Sequence, residues 1–470
     1  MGKRSGKNRA QGRALKQKPS LLDVWMELLL GGFLALYLLF IPLRGSERLG
    51  MYSQISETKT TLFFVLMGIL LFYGAIRLGV ELWAWRKQGK PLTSLSPSQI
   101  AALLFLFFTV ISAAASPYQA NAWYSSKSHE ATLTLGLYVL LFLVTSRWGV
   151  PTRRLWKVLL WSMGLFCLLC LLQALGKNPL SLYPEGQSFY DGYGKQYQGA
   201  YAGSVGNVDL VSALLALVIP LLVIPALGKQ FRRTWPCWLL ALGCVGLLVW
   251  LRVLCGLVGL AAGTALTLLV RCPDEKRKWL LLSYGILAVT GIALLWAVDL
   301  PVKFLHELHE ILHGRAEDSF GTGRFFIWRQ MLERIPNRLL TGVGPDMARF
   351  SGLEPFVRRD ELGNVVYNAA GNAITAVITD AHCYPVHILY CQGLPALLSW
   401  LTLVGLCMSH WVKGRSDCSI AALGSGLACL LCAMLFCFSS IIIMPFLWLC
   451  MGLLEGKYQE RTDAKASQAM

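Results

Sequence analysis

Charge is what this sequence has least of: only 15% of its 470 residues are Asp, Glu, Lys or Arg. With 55% of residues hydrophobic and a mean hydropathy of +0.53, a water-soluble globular domain is excluded. No repeat of fixed period occurs, and there is no low-complexity tract beyond the basic first residues, so a solenoid is excluded too. The two long polar segments carry no Asp-x-Asp pair for a divalent cation. The first apolar run lacks a following small-residue cleavage site and is read as a retained anchor, not a removed signal peptide.

Long apolar runs are abundant. A span needs about 20 largely apolar residues. Twelve candidates lie at 21–43, 61–84, 100–117, 131–146, 155–175, 208–228, 236–251, 254–270, 279–298, 384–409, 419–437 and 439–455. The sequence therefore predicts an all-α, polytopic membrane protein of about twelve helices. The net charge of +17 does not indicate nucleic acid, because of where the basic residues fall. Lys3, Arg4 and their neighbours precede the first span. Basic groups then recur at Arg86–Lys90, Arg147–Lys157, Lys229–Arg233, Arg271–Lys278 and Lys413–Arg415, one side after every second crossing. By the positive-inside rule both termini are cytoplasmic, in a multi-pass protein of the cytoplasmic membrane. The N-terminal basic cluster also attracts anionic lipid. Of fourteen cysteines nearly all lie in apolar runs, and only Cys383 sits at an outside edge, so no disulfide framework is expected.

The expected organisation is a basic cytoplasmic segment 1–20, nine spans over 21–298 with an outside loop 176–207, a large helical outside loop 299–381, three spans over 382–456 and a cytoplasmic tail 457–470. In the large loop, Phe304, Leu305, Leu308, Ile311 and Leu312 share a helical face that suits the membrane surface. Its His306, His309 and His313 invite a metal reading, but the solvated amphipathic helix is the better one. A second helix places Trp328, Met331, Leu332 and Ile335 on one face, with Thr322 as its cap and Arg324 in its first turn. A basic residue there suits an anion bound at the helix start; a membrane-surface arginine is the plain alternative. Arg252 stands alone at the outside tip between spans seven and eight, as a functional charge or a headgroup-reaching arginine. Arg77 and Glu81, four residues apart, are expected to pair structurally. His382 and His387 open the tenth span; His382 is either a proton-handling group or an interfacial cap.

Taken together, Gly323-Arg324 with Trp328, then Gly342-Val-Gly-Pro-Asp346, then Ala381-His382 followed by Gln392-Gly393-Leu394, resemble the O-antigen ligase and O-antigen polymerase superfamily. Gly206-Asn-Val-Asp209 is similar to that family's Gly-Asn-Pro-Asn segment, and Arg252 to its span-end arginine. The departures are His382-Cys383 for His-Asn, His387 for a following glutamine, Asp209 for asparagine, and Leu251 and Val253 around the arginine.

The resemblance implies a membrane glycosyltransferase. It would move a glycan from a polyprenyl pyrophosphate to an acceptor hydroxyl on a glycan, lipid or protein, with inversion at the anomeric carbon. No cofactor, metal or nucleic acid enters this reading. His382 would be the general base, with Arg252 and Arg324 clamping the pyrophosphate and Arg329, Arg358 and Arg359 in support. Trp328, Tyr384 and the tyrosines of 190–201 would stack on sugars. His387 would hydrogen-bond His382 or line the cavity, and Asn207 would contribute to substrate binding. A glycan transporter or flippase is the rival, and a membrane scaffold a third reading. A transporter sets polar groups at mid-bilayer, whereas these spans hold few ionisable residues.

Overall fold

The computed structural model describes residues 20–40, 52–89, 94–124, 129–177, 203–357, 364–368 and 371–469. The N-terminal basic cluster, Arg358, Arg359 and the tyrosines of 190–201 lie outside the described residues. The chain forms helices α1 (Leu21–Leu39), α2 (Tyr52–Gln88), α3 (Pro97–Ala115), α4 (Gln119–Trp123), α5 (Thr132–Trp148), α6 (Arg153–Ala174), α7 (Val208–Leu227) and α8 (Trp235–Leu251). It continues with α9 (Leu254–Arg271), α10 (Asp274–Ala297), α11 (Lys303–Leu312), α12 (Phe320–Arg334), α13 (Tyr384–Gln392), α14 (Leu394–Gly414), α15 (Cys418–Ala433) and α16 (Met444–Ala469). Strands β1 (Phe356–Val357) and β2 (Thr375–Ala376) pair antiparallel, with Phe356 opposite Ala376.

Among the described residues eight helices are long and apolar enough to cross a membrane, and α5, α8 and α15 are shorter apolar helices. The protein is an all-α polytopic membrane protein, as the apolar runs predict. Side-chain caps fix several helix starts. Ser20 and Asp23 form a capping box at α1, Ser96 and Gln99 another at α3, and Asn207 and Asp417 cap α7 and α15. At the centre α7 is buried over nearly its whole length, against α8, α9 and α15. Small residues permit that approach. A methyl added to Gly256 would meet Ser212 at 2.6 Å, and one added to Gly263 would meet the Cys429 backbone at 2.5 Å.

The two ends of the bundle differ in charge. Arg147 pairs with Glu81 at 2.5 Å, Arg415 approaches Asp274 at 3.7 Å, and Arg153 donates to the Gln230 carbonyl at 2.9 Å, all at one end. Lys229, Arg232, Arg233 and Arg271 lie on the turns of that same end. Arg77 binds Asp23 at 2.9 Å, so Arg77 and Glu81 each pair across helices and not with each other. Beneath the opposite end, Lys59 is buried and donates to the carbonyls of Tyr37 and Leu38, the last turn of α1. Its amino group there satisfies orphan carbonyls of the helix end.

Three expected spans depart from continuous helix at that second end. The run 384–409 breaks at Gly393, whose φ of 88° and ψ of 174° no helix accepts. The runs 419–437 and 439–455 are shortened, because residues 434–443 leave the helix while staying mostly buried. Irregular backbone at this depth needs partners within the protein. The large loop supplies them: Val343 and Gly344 donate N–H groups to the carbonyls of Tyr390 and Cys391 at 3.1 and 2.8 Å. Ser112 and Ser116 of the α3 end bond Cys391 O and Val343 O at 3.0 and 2.7 Å.

Gly342 carries this docking. Its φ is 64°, and an added methyl would lie 2.4 Å from the Cys391 backbone carbon. Gly342→Ala is expected to cost about 1–3 kcal/mol through strain and displacement of the loop. A lowered unfolding midpoint of the detergent-purified protein would register it. Gly285→Ala, inside α10 with nothing within 4 Å of the new methyl, is the control and does not lower the midpoint.

Candidate active site

The polar groups of the second bundle end converge where α13 begins. His382 stands just before that helix in a left-handed conformation, φ 50°, which costs a non-glycine residue about 1–2 kcal/mol. Its own peptide group explains how the conformation is held. The His382 N–H donates to Asp380 Oδ1 at 2.6 Å, and the carbonyl of the same peptide, Ala381 O, accepts from Trp328 Nε1 at 2.7 Å. Phe438 packs edge-on against the imidazole, ring centroids 5.5 Å apart. One side-chain atom is left over: His382 Nδ1 is buried and has no hydrogen-bond partner.

Asp380 is 8% exposed. Its Oδ2 accepts from Ser439 Oγ at 3.1 Å and lies 3.3 Å from His387 Nδ1. His387 is buried one turn into α13. Glu130, buried just before α5, accepts from Tyr138 Oη at 3.0 Å, and its N–H reaches Asp346 Oδ2 at 3.4 Å. Burial pushes the Glu130 carboxyl up to about 8, so it is protonated at neutral pH and adds no charge beside Asp346. Burial also holds the His382 imidazole below its usual range, and the charge of Arg324 acts the same way. The carboxylates of Asp380 and Asp209 oppose that shift. His382 is therefore a neutral, proton-accepting imidazole at neutral pH.

Arg324 reaches the cluster from α12. Its Nη1 donates to Gly321 O at 2.6 Å and its Nη2 to Phe436 O at 3.0 Å, which ties the large loop to the irregular 434–443 segment. Its Nε is buried and unpartnered. Gly321, Thr322 and Gly323 are all left-handed, with φ of 60, 61 and 84°. Thr322 therefore does not cap the helix as its sequence position suggests; the regular helix starts at Arg324. Glu307 of α11 holds this turn by accepting the Gly321 N–H at 3.0 Å. On the helix that follows, Ile327 and Met331 are buried, whereas Leu332 is 49% exposed and off the expected face.

The other expected residues have varied places. Arg252 caps α8 in a left-handed turn, φ 55°, at the same bundle end, and its side chain is exposed. Three residues on, Cys255 Sγ lies 3.7 Å from Asp209 O. Asn207 spends its side-chain oxygen on the N–H groups of Asp209 and Leu210, at 2.8 and 3.3 Å, as the α7 cap. Arg329 is bound to Asp318 at 2.6 Å on the exposed side of α12, away from the cluster. Tyr384 is buried edge-on against Trp400, centroids 5.1 Å apart, so its ring offers no open face to a sugar. Of the loop histidines, His306 pairs with Asp299 at 2.8 Å, His309 with Leu295 O at 2.6 Å and His313 with His309 O at 2.8 Å. They form no three-ligand metal group among the described residues.

Asp380, Ser439 and Glu130 are the partners that motif reading passes over. Asp380 sits two positions before His382 in Thr379-Asp-Ala-His, which is a visible signal. Ser439-Ser440 is a polar pair interrupting an apolar run, and Glu130 is a lone acid beside the fourth span.

Among the described residues the apolar helix bundle thus carries a largely buried polar cluster of Asp380, His382, His387 and Arg324 at one end, under a folded loop. Comparison of families narrows this. Residues 238–401 match the family model described as O-antigen ligase, which supports membership of that superfamily. The matched segment runs from α8 to α14 and includes Arg252, Arg324, Trp328 and His382. It supports a membrane glycan ligase or polymerase kind of function, with a lipid-linked glycan and an acceptor as partners in general terms. No curated protein matches the chain.

Proposed function

We propose that the protein transfers a glycan from a polyprenyl pyrophosphate to an acceptor hydroxyl at the outer face of the cytoplasmic membrane. The observation that carries the reading is a pair of buried, unpartnered polar atoms, His382 Nδ1 and Arg324 Nε, on side chains close enough for their charges to interact. A buried polar atom without a partner is rare and calls for an explanation; a bound substrate supplies one.

In this reading the acceptor O–H gives its proton to the neutral His382 imidazole. The freed oxygen forms a bond to the anomeric carbon from the face opposite the leaving group. The bond from that carbon to the pyrophosphate oxygen breaks, and polyprenyl pyrophosphate departs with the electron pair. Arg324 meets the charge that develops on the leaving oxygen, with Arg252 at the mouth drawing in the anionic headgroup. The step needs no redox partner, and configuration inverts at the sugar. The outward placement rests on sidedness: the turns rich in arginine and lysine lie at the end of the bundle away from His382.

The broken helix at Gly393 favours one competing reading, since transporters use interrupted helices at their binding sites. Here the break lies at one end of the bundle and its carbonyls are closed by Val343 and Gly344, which favours an enzyme. The test is incubation of the purified protein with a polyprenyl-pyrophosphate glycan and candidate acceptors, with products separated by size. Transfer with release of polyprenyl pyrophosphate is expected; a single addition marks a ligase and a ladder a polymerase. Vesicles that move the lipid-linked glycan across the bilayer with no new glycosidic bond would overturn the proposal in favour of transport.

A further inference from the structure

We propose that Asp380 is the positioning residue of this site, fixing His382 in its left-handed conformation and orienting the cluster behind it. The inference rests on His382 acting as the base. Three contacts converge on the one carboxylate. Its Oδ1 takes the His382 N–H at 2.6 Å, while Oδ2 takes Ser439 Oγ at 3.1 Å and lies 3.3 Å from His387 Nδ1. Asp380 thereby links three otherwise separate pieces of chain: the end of the large loop, the irregular segment between α15 and α16, and the first turn of α13.

The peptide group between Ala381 and His382 is gripped from both sides. Asp380 holds its N–H, and Trp328 holds its oxygen at 2.7 Å. With that peptide held, and Tyr384 N–H bonded to Met434 O at 2.9 Å just beyond, the chain is anchored on both sides of His382 and its backbone stays left-handed although a side chain disfavours that state. This arrangement gives Trp328 a purpose other than sugar stacking. It also carries the position of α12, and with it Arg324, directly to the base. The second effect of Asp380 is electrostatic. The groups facing His382 are Asp380, Arg324, Asp209 and His387, and His387 in turn faces Glu130. Of these, Asp380 contributes the strongest pull toward the imidazolium, the form the base takes on when it accepts the proton.

The test is the transfer assay on the full chain carrying Asp380→Asn, which keeps an oxygen for the His382 N–H but removes the charge. The expected kcat falls by about 10²-fold, while KM for the lipid-linked glycan stays within about twofold. The acid limb of the kcat/KM profile moves to lower pH, because the carboxylate that favours the imidazolium is gone and the neutral base survives into more acid solution. Asp380→Glu recovers part of the rate. Wild-type kcat, or a lost rate with the acid limb unmoved, overturns the proposal.

If Asp380→Asn does not yield folded protein by size exclusion, Trp328→Phe tests the other side of the grip. It keeps a ring and removes the N–H, and the expected result is a fall in kcat at unchanged KM; wild-type kcat overturns the proposal. His382→Ala run in parallel separates the two levels of inference. Wild-type transfer in His382→Ala sinks the base assignment itself, whereas an inactive His382→Ala beside a fully active Asp380→Asn sinks only the positioning role.

Discussion

His382→Ala is expected to remove glycan transfer by about 10²–10⁴-fold, the range a positioned general base contributes, while the protein still inserts and purifies as folded protein. The structure explains why insertion survives. His382 lies before α13, not within a packed helix, and its imidazole makes one edge-on aromatic contact with Phe438. Alanine also keeps the Asp380 and Trp328 bonds, because both run to main-chain atoms. The loss should fall on kcat, since the imidazole is asked to act on a proton in flight and not to hold the substrate. Retained transfer in a well-folded variant would contradict the assignment.

The second large effect concerns Arg324. Two of its nitrogens are already committed to the carbonyls of Gly321 and Phe436, at 2.6 and 3.0 Å, which aims the planar guanidinium and leaves Nε for an anion. Lysine has the charge but a single rotating ammonium. It cannot brace itself on two carbonyls and also present a third donor in the same plane. Arg324→Lys should therefore lose about 10²–10³-fold in kcat, as does loss of one donor aimed at developing negative charge. Arg252→Lys should lose much less, because Arg252 is exposed on its turn and its contribution is attraction from the mouth. Single-turnover rates on lipid-linked glycan separate the two arginines. Equal, small losses in both lysine variants would contradict the division of roles.

Much of the fold was legible because the membrane imposes a simple rule: uninterrupted apolar length becomes helix. Every apolar run named in the sequence carries a helix among the described residues, the run 384–409 being divided at Gly393 and the last two runs shortened. What the rule conceals is interruption. The break at Gly393 is signalled only by Gln392 before it and Pro395 after it, within a run long enough to span, and the loop that satisfies it lies some fifty positions away in the chain. The cap assigned to Thr322 failed for a related reason. Cap propensity is local, whereas the left-handed turn at 321–323 is held by Glu307 from another helix. Arg77 and Glu81 likewise chose partners on neighbouring helices over the pairing their spacing allows.

Residue chemistry and spacing left Arg324 and His382 open between function and a plain surface role, and it was the family resemblance that singled them out. Their setting was not legible. A carboxylate that bonds a main-chain N–H two residues on, as Asp380 does, leaves no pattern until the backbone is known. Trp328 is the instructive case. Its ring suggested sugar stacking, yet its indole N–H is spent on Ala381 O, so its link to His382 runs through the backbone.

The central claim is that one anionic headgroup sits between Arg324 and His382 when substrate is bound. The most direct measurement is a cryo-electron microscopy map of the full chain with a polyprenyl pyrophosphate bound. The account predicts pyrophosphate density within hydrogen-bond reach of Arg324 Nε, with the sugar-bearing oxygen turned toward His382. Pyrophosphate density among the arginines and lysines at the opposite end of the bundle, or density touching neither Arg324 nor His382, would contradict it.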